Sequence, residues 1–169
     1  ETVGRERFED GQDWLGIMAT RINAQLLKEI FGDLCRDEVV TNPEGVVNFS
    51  GRILVGSGYM PGYSSDKDAV VLAQGLGADT VINLSNIEKV YDDDPKENPD
   101  AKPLDEISWA DFRKMVGETW TPGMNKPFDP IASKLAEEAG IRVICARGTD
   151  IENTMAILEG KEFVGTVIK

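Results

Sequence analysis

The chain has no histidine and only two cysteines, Cys35 and Cys145, in 169 residues. The cysteines are far apart and follow no metal-ligand spacing, so the donor chemistry argues against a zinc site, and no residue is assigned as a metal ligand. Two such cysteines fit a reduced, cytoplasmic setting. Basic residues are scarce: 18 lysines and arginines face 30 acidic residues, giving a net charge of −12. That balance argues against nucleic acid or an anionic membrane as the main partner. There is no run of 18 apolar residues and no basic-then-apolar leader, so neither a membrane span nor a signal peptide is indicated. A small phosphorylated substrate is still compatible with the charge. Its site needs a few local donors and Mg²⁺, which itself neutralises phosphate. The length fits one domain over residues 1–169.

The most informative stretch is Gly56-Ser57-Gly58-Tyr59-Met60-Pro61-Gly62-Tyr63-Ser64-Ser65-Asp66. It follows the apolar segment Arg52–Val55 and precedes a helical run from Asp68 to Leu76. Glycines there permit close backbone approach, and a helix N-terminus offers unpaired N–H donors and partial positive charge. Ser64 and Ser65 could cap the helix or meet a phosphoryl oxygen, and Asp66 could orient a cation beside it. A plain serine-capped strand–helix connection explains the same residues. The spacing fits neither the P-loop nor the dinucleotide fingerprint.

Along the chain, Glu1–Gly11 reads as a charged loop or helix end. Asp10 or Asp13 then caps a helix to about Phe31. Its residues Leu15, Ala19, Ile22, Leu26 and Ile30 recur at helical spacing and predict a buried stripe. Asp13, Gly16, Thr20 and Asn23 form a small or polar stripe, explained by close packing or by the wall of a ligand cavity. Short strands are expected at Glu38–Thr41 and Ile53–Val55, and a buried parallel strand at Thr80–Leu84. That strand leads into Ser85–Asp94 and a proline-rich loop. Ser108 with Asp111 resembles a capping box for a helix to Val116. An irregular loop spans Trp120–Pro127. Asp129-Pro130 opens a helix ending near Gly140. Arg142–Ala146 is a strand, Asp150 caps a helix to Leu158, and Val164–Ile168 is a final strand. Asp92, Asp93 and Asp94 could bind a cation, reach a ribose or form a solvated turn. Tyr91 could stack on a base or lie in the core. Lys126 beside Asp129 could meet a phosphate or form a surface ion pair. The alternation implies an α/β fold, a three-layer α/β/α sandwich with a mainly parallel central sheet. Ligands bind such sheets at the carboxyl ends of strands, where both the Gly56–Asp66 and Ser85–Asp94 loops lie.

Taken in order, these segments closely resemble the archaeal-type uridylate (UMP) kinases of the amino-acid-kinase fold. The helix segment Asp13–Asn23 is similar to that family's D-x-x-G-x-x-A-T-x-x-N, and Pro61–Asp66 to its P-G-x-T-T-D. Ser85–Pro95 is similar to its T-N-V-D-G-V-Y-x-x-D-P, and Phe128–Ala132 and Gly165–Ile168 also match. The resemblance covers nearly the whole chain and implies transfer of the γ-phosphoryl of ATP to UMP with Mg²⁺. It places Asp13 on the UMP ribose. Tyr59, Met60, Pro61, Gly62, Tyr63, Ser64 and Ser65 would surround the UMP and its phosphate. Ser85, Asn86, Tyr91 and Asp94 would serve ATP, and Asp66 would orient the groups around the transferring phosphoryl. It also implies a homo-oligomer, a hexamer in the family, with the first helix in the contact.

The chain departs from the family pattern in several places. Tyr59-Met60 stands where the archaeal form commonly has Thr-His, and Glu88-Lys89 where it has Asp-Gly. The family's opening strand with its Gly-Gly-Ser loop, and the later Gly-Gly-Gly, do not occur. The expectation is a kinase domain lacking its N-terminal strands, a piece of roughly 30 or more residues, and poorly active alone. The alternatives are an inactive nucleotide-binding or regulatory domain, or another kinase of this fold acting on acetylglutamate, aspartate or isopentenyl phosphate.

Overall fold

The computed structural model describes residues 2–119 and 126–169. They form two compact units, one ending at Gly77 and the other starting at Ala78. No helix among the described residues is long and apolar enough to cross a membrane.

The first unit opens with α1, Thr2–Phe31, followed by a single 3₁₀ turn at Gly32–Leu34. The opening segment is therefore helical, the second of its two expected readings, whereas Asp10 and Asp13 lie inside α1 rather than capping it. A second correction concerns the face that packs. Ile17 and Ala24 are buried, with Arg21 and Lys28 half-buried between and beyond them. Ala24 joins Cys35 and Val55, backed by Val39 and Ile53. The expected apolar stripe instead faces outward: Leu15 is 74% exposed and Ile22 70%. The reason is steric. The packed side meets a glycine backbone at Gly58, where a Cβ would come within 3.0 Å of Thr20 Oγ1 and 3.4 Å of Ile17. The two expected short strands reduce to one parallel bridge, Val40 with Gly56. Val40 N–H donates to the Val55 carbonyl and Ser57 N–H to the Val40 carbonyl, each at 2.9 Å, and no ladder continues from them. Helix α2, Ser65–Leu76, starts three residues before the expected Asp68 because Ser64 caps it; Gly77 closes it.

The second unit holds a four-stranded sheet in the order β1-β3-β4-β2. The strands are β1 (Thr80–Ser85), β2 (Glu106–Ile107), β3 (Arg142–Arg147) and β4 (Thr166–Ile168). β1 pairs parallel with β3 and β2 with β4, whereas β3 and β4 are antiparallel. The sheet is thus mixed and mostly parallel, and with its helices the chain is an α/β fold. β3 is central, and Val143–Ala146 are all buried. β1 is an edge strand, which leaves it half-buried rather than buried and exposes Leu84. Ile144, Ala146 and Ile157 form a core with Ile82, Phe163 and Val167.

The helices of this unit start where their caps dictate. α3, Trp109–Val116, is capped by Ser108, α4, Pro130–Ala139, by Asp129, and α5, Ile151–Leu158, by Asp150. The last strand begins at Thr166, not Val164. The Asn153 amide takes both backbone groups of Val164, at 2.7 Å each, and so removes that residue from the sheet.

Candidate functional site

In the first unit the glycine-rich loop is an ordered structure held from two helices. Tyr63 N–H donates to the Met60 carbonyl at 3.1 Å, and Gly62 has φ +83°. Proline second and a left-handed glycine third make a type II turn, so Pro61 and Gly62 each have a conformational reason. Before the turn, Gly58 N–H donates to Thr20 Oγ1 at 2.9 Å, and that hydroxyl donates to the Ile17 carbonyl at 2.7 Å. Arg21 Nη2 donates to the Tyr59 carbonyl at 3.0 Å, and Tyr59 N–H donates to Asp68 Oδ2 at 3.1 Å. After the turn, Ser64 Oγ accepts Lys67 N–H at 3.1 Å as the cap of α2. Of the two readings of Ser64, capping is the one this hydrogen bond realises; Ser65 is exposed at the first helical position. Asp66 is the second residue of the helix, at its positive end.

The two loop tyrosines meet edge to face, with centroids 5.1 Å apart and planes at 85°. Lys67 Nζ lies 3.3 Å from the Tyr63 ring centroid, a cation–π contact. The Tyr63 hydroxyl donates to Glu44 Oε1 at 2.9 Å, and this bond, with burial, raises its pKa above the usual phenol value. Met60 is exposed beside them. Asp13 is half-buried on α1, about two turns before Thr20. A Cβ at Gly16, between them, would meet nothing within 4 Å. The small or polar stripe is therefore close-packed at Thr20 and open at Gly16.

Asp68 was not foreseen, since an aspartate in a helix ordinarily faces solvent. It is 9% exposed, and its Oδ1 has no hydrogen-bond partner. Burial raises its pKa, opposed by the Tyr59 N–H bond and by the charge of Lys67. A carboxyl raised in the folded state favours protonation there, so its penalty is largest at neutral pH and fades as pH falls toward 3.8. Asp68→Asn is expected to melt higher than the parent at pH 7, by about 3 °C for about 1 kcal/mol. Melting scans across pH should show that gap closing in acid; a constant gap would contradict the buried charge.

In the second unit, Ser85 ends β1 and its Oγ accepts Ile87 N–H at 3.3 Å. Asn86 is exposed and Tyr91 half-buried. The segment around Tyr91 is fastened to the sheet through Thr166. Val90 N–H donates to the fully buried Thr166 Oγ1 at 2.8 Å, and that hydroxyl donates to the Leu104 carbonyl at 2.5 Å. Leu104 N–H returns to the Val90 carbonyl at 2.8 Å, and Tyr91 bridges Pro103. Lys89 pairs with Asp105, and Glu88 with Arg147 at 3.7 Å. The acidic run builds turns: Asp92 Oδ1 accepts Lys102 N–H, Asp93 accepts Asp94 N–H and the Asn98 amide, and Asp94 Oδ1 accepts Lys96 N–H. The Asn98 and Asp94 bonds hold the Asp93 carboxyl below the usual range. Asp129 is buried, its Oδ1 accepting Ile131 and Ala132 N–H, while Lys126 is exposed. The expected loop at Trp120–Pro127 lies mostly outside the described residues. Among the described residues no group of three or more acidic or cysteine side chains is arranged to hold a metal ion.

The first unit thus carries a glycine-rich turn at a helix head, and the second carries a polar loop at a strand's carboxyl end. The amino acid kinase family model matches residues 3–147, and the chain belongs to that family. Its relatives narrow the class. It is 36% identical over 166 residues to the uridylate kinase of Methanospirillum hungatei, covering 96% of this chain and 70% of that one. It is 32% identical over 173 residues to the uridylate kinase of Sulfurisphaera tokodaii, covering 99% and 76%. Among solved structures, the uridylate kinase of Archaeoglobus fulgidus superposes with a TM-score of 0.77 at 30% identity, over 95% of this chain and 73% of that one.

Proposed function

We propose that the protein is a UMP kinase, a phosphotransferase that moves the γ-phosphoryl of ATP to UMP and yields UDP and ADP. The observation that carries this reading is the Tyr59–Asp66 loop, held as a formed turn at the N-terminus of α2. An oxygen of the UMP phosphate attacks the γ-phosphorus, and the bond from that phosphorus to the leaving ADP oxygen breaks. The nucleophile belongs to the substrate, so the protein supplies position and charge stabilisation. The acceptor is assigned to Asp13 and to Tyr59 through Ser65, with Asp66 orienting groups around the moving phosphoryl. ATP is assigned to Ser85, Asn86, Tyr91 and Asp94. Mg²⁺ is ordinarily held by one or two carboxylates together with substrate phosphates, and isolated aspartates fit that pattern better than an all-protein cage. Residues 1–169 belong to a single kinase domain, placed in the cytoplasm.

The testing experiment measures ADP release by the intact protein with UMP, CMP, AMP and dTMP side by side. UMP is expected to be the fastest acceptor. No turnover with any of them would favour the inactive nucleotide-binding reading. The assignment to two nucleotides is tested in the same assay. Asp13→Asn should weaken UMP by about tenfold, the loss of a charge-assisted bond. Asp94→Ala should raise the KM for ATP far more than that for UMP. Equal changes in both constants would contradict the division.

The same reading gives the outer face of α1 to a second copy of the chain. Leu15, Met18, Ile22, Leu26 and Ile30 are all exposed there. A run of large apolar side chains along one helix is the ordinary material of a subunit contact. Ile22→Asp with Leu26→Asp should reduce the mass seen by light scattering to that of a monomer. An unchanged mass would assign the contact elsewhere.

A further inference from the structure

We infer that Asp68 is a positioning residue for the acceptor nucleotide, acting through the backbone of Tyr59; this rests on the proposed acceptor role of the loop. Both backbone polar groups of Tyr59 are gripped by side chains from different helices. Its N–H goes to Asp68 Oδ2 of α2 at 3.1 Å, and its carbonyl receives Arg21 Nη2 of α1 at 3.0 Å. One residue earlier, Gly58 N–H is held by Thr20. The chain is thus fixed immediately before the type II turn that leads into Ser64, Ser65 and Asp66. The Tyr59 ring, set edge-on to Tyr63, takes its direction from that fixed backbone.

The cost of this arrangement points to function. Asp68 is one of three buried residues of α2, with Val70 and Ala73, and it is the charged one among them. Its carboxylate is buried there with one oxygen unpartnered, and a buried unsatisfied charge destabilises a fold. Arg21 Nε is likewise buried without a partner. Both side chains lose solvation, and both make a hydrogen bond with the same loop residue, while Arg21 also lies 5.9 Å from the centroid of the Trp14 ring. A loop held in its binding conformation avoids the ordering cost that a free loop meets when ligand arrives.

The test compares the intact protein with Asp68→Ala and Asp68→Asn. In Asp68→Ala the KM for UMP is expected to rise about tenfold, with the KM for ATP within about twofold and the melting temperature not below the parent's. Asp68→Asn keeps an oxygen that can accept the Tyr59 N–H, and should recover most of the loss. Hydrogen exchange gives a readout independent of activity: the Tyr59 amide should lose protection in the alanine variant and keep it in the asparagine variant. An unchanged UMP KM in Asp68→Ala, or both KM values rising together with a fall in melting temperature, overturns the proposal. If the parent itself transfers no phosphoryl to UMP, the kinase reading fails and exchange alone decides. Protection lost with alanine and kept with asparagine supports the grip on Tyr59, and equal exchange in all three proteins overturns it.

Discussion

Asp66→Asn is expected to lower kcat by about 100-fold while leaving the KM for either nucleotide within about threefold. The expectation follows from where the side chain stands. Ser64 caps α2, so Asp66 occupies the second helical position, next to the orphan N–H groups of the first turn. Negative charge on a transferring phosphoryl is redistributed in the transition state, and groups that orient donors toward it act there more than in the ground state. Asparagine preserves size and one accepting oxygen, while it removes the charge and puts an NH2 donor in place of the other oxygen. A loss confined to KM would make Asp66 a binding residue and would move the chemical role to another part of the site.

The second large effect is on stability. A Cβ at Gly75 would lie 2.1 Å from the carbonyl oxygen of Val46. Gly75→Ala gains about 1 kcal/mol of helix propensity. The contact is with backbone, which cannot rotate away, so α2 and the 43–47 segment must separate. Overpacking costs about 1–3 kcal/mol, and an approach of 2.1 Å to backbone belongs at the top of that range, so about 3 lost against about 1 gained leaves a net loss of about 2 kcal/mol. For a chain of this size that is about 6 °C in Tm, measurable by calorimetry. The displacement also reaches the loop, because Glu44, two residues before Val46, accepts the Tyr63 hydroxyl. A variant as stable as the parent would show that the segment yields freely.

What could be read in advance was whatever a residue decides locally. Ser108, Asp129 and Asp150 each cap the helix that follows, and Gly77 and Gly140 close theirs in the left-handed conformation, because a cap depends on neighbours within one turn. The ordered motifs of the loops likewise point to the amino acid kinases from sequence alone. The orientation of α1 was not legible. Periodicity reveals that stripes exist, but which stripe packs depends on what it meets, and here Ile17 meets the Gly58 backbone and Ala24 meets Cys35 and Val55, while the larger Leu15 and Ile22 face outward. β2 is two residues long and carries no pattern. Asp68 gave no signal, since its burial depends on a Tyr59 N–H nine positions earlier.

Thirty residues of α-helix extend about 45 Å, so α1 is a rod with a bare greasy edge along much of one side. If copies of the chain cover that edge for one another, the melting point becomes a function of protein concentration. Each tenfold dilution then removes about 1.4 kcal/mol from every two-chain contact. Melts recorded at two protein concentrations a hundredfold apart would differ, although no residue had been changed.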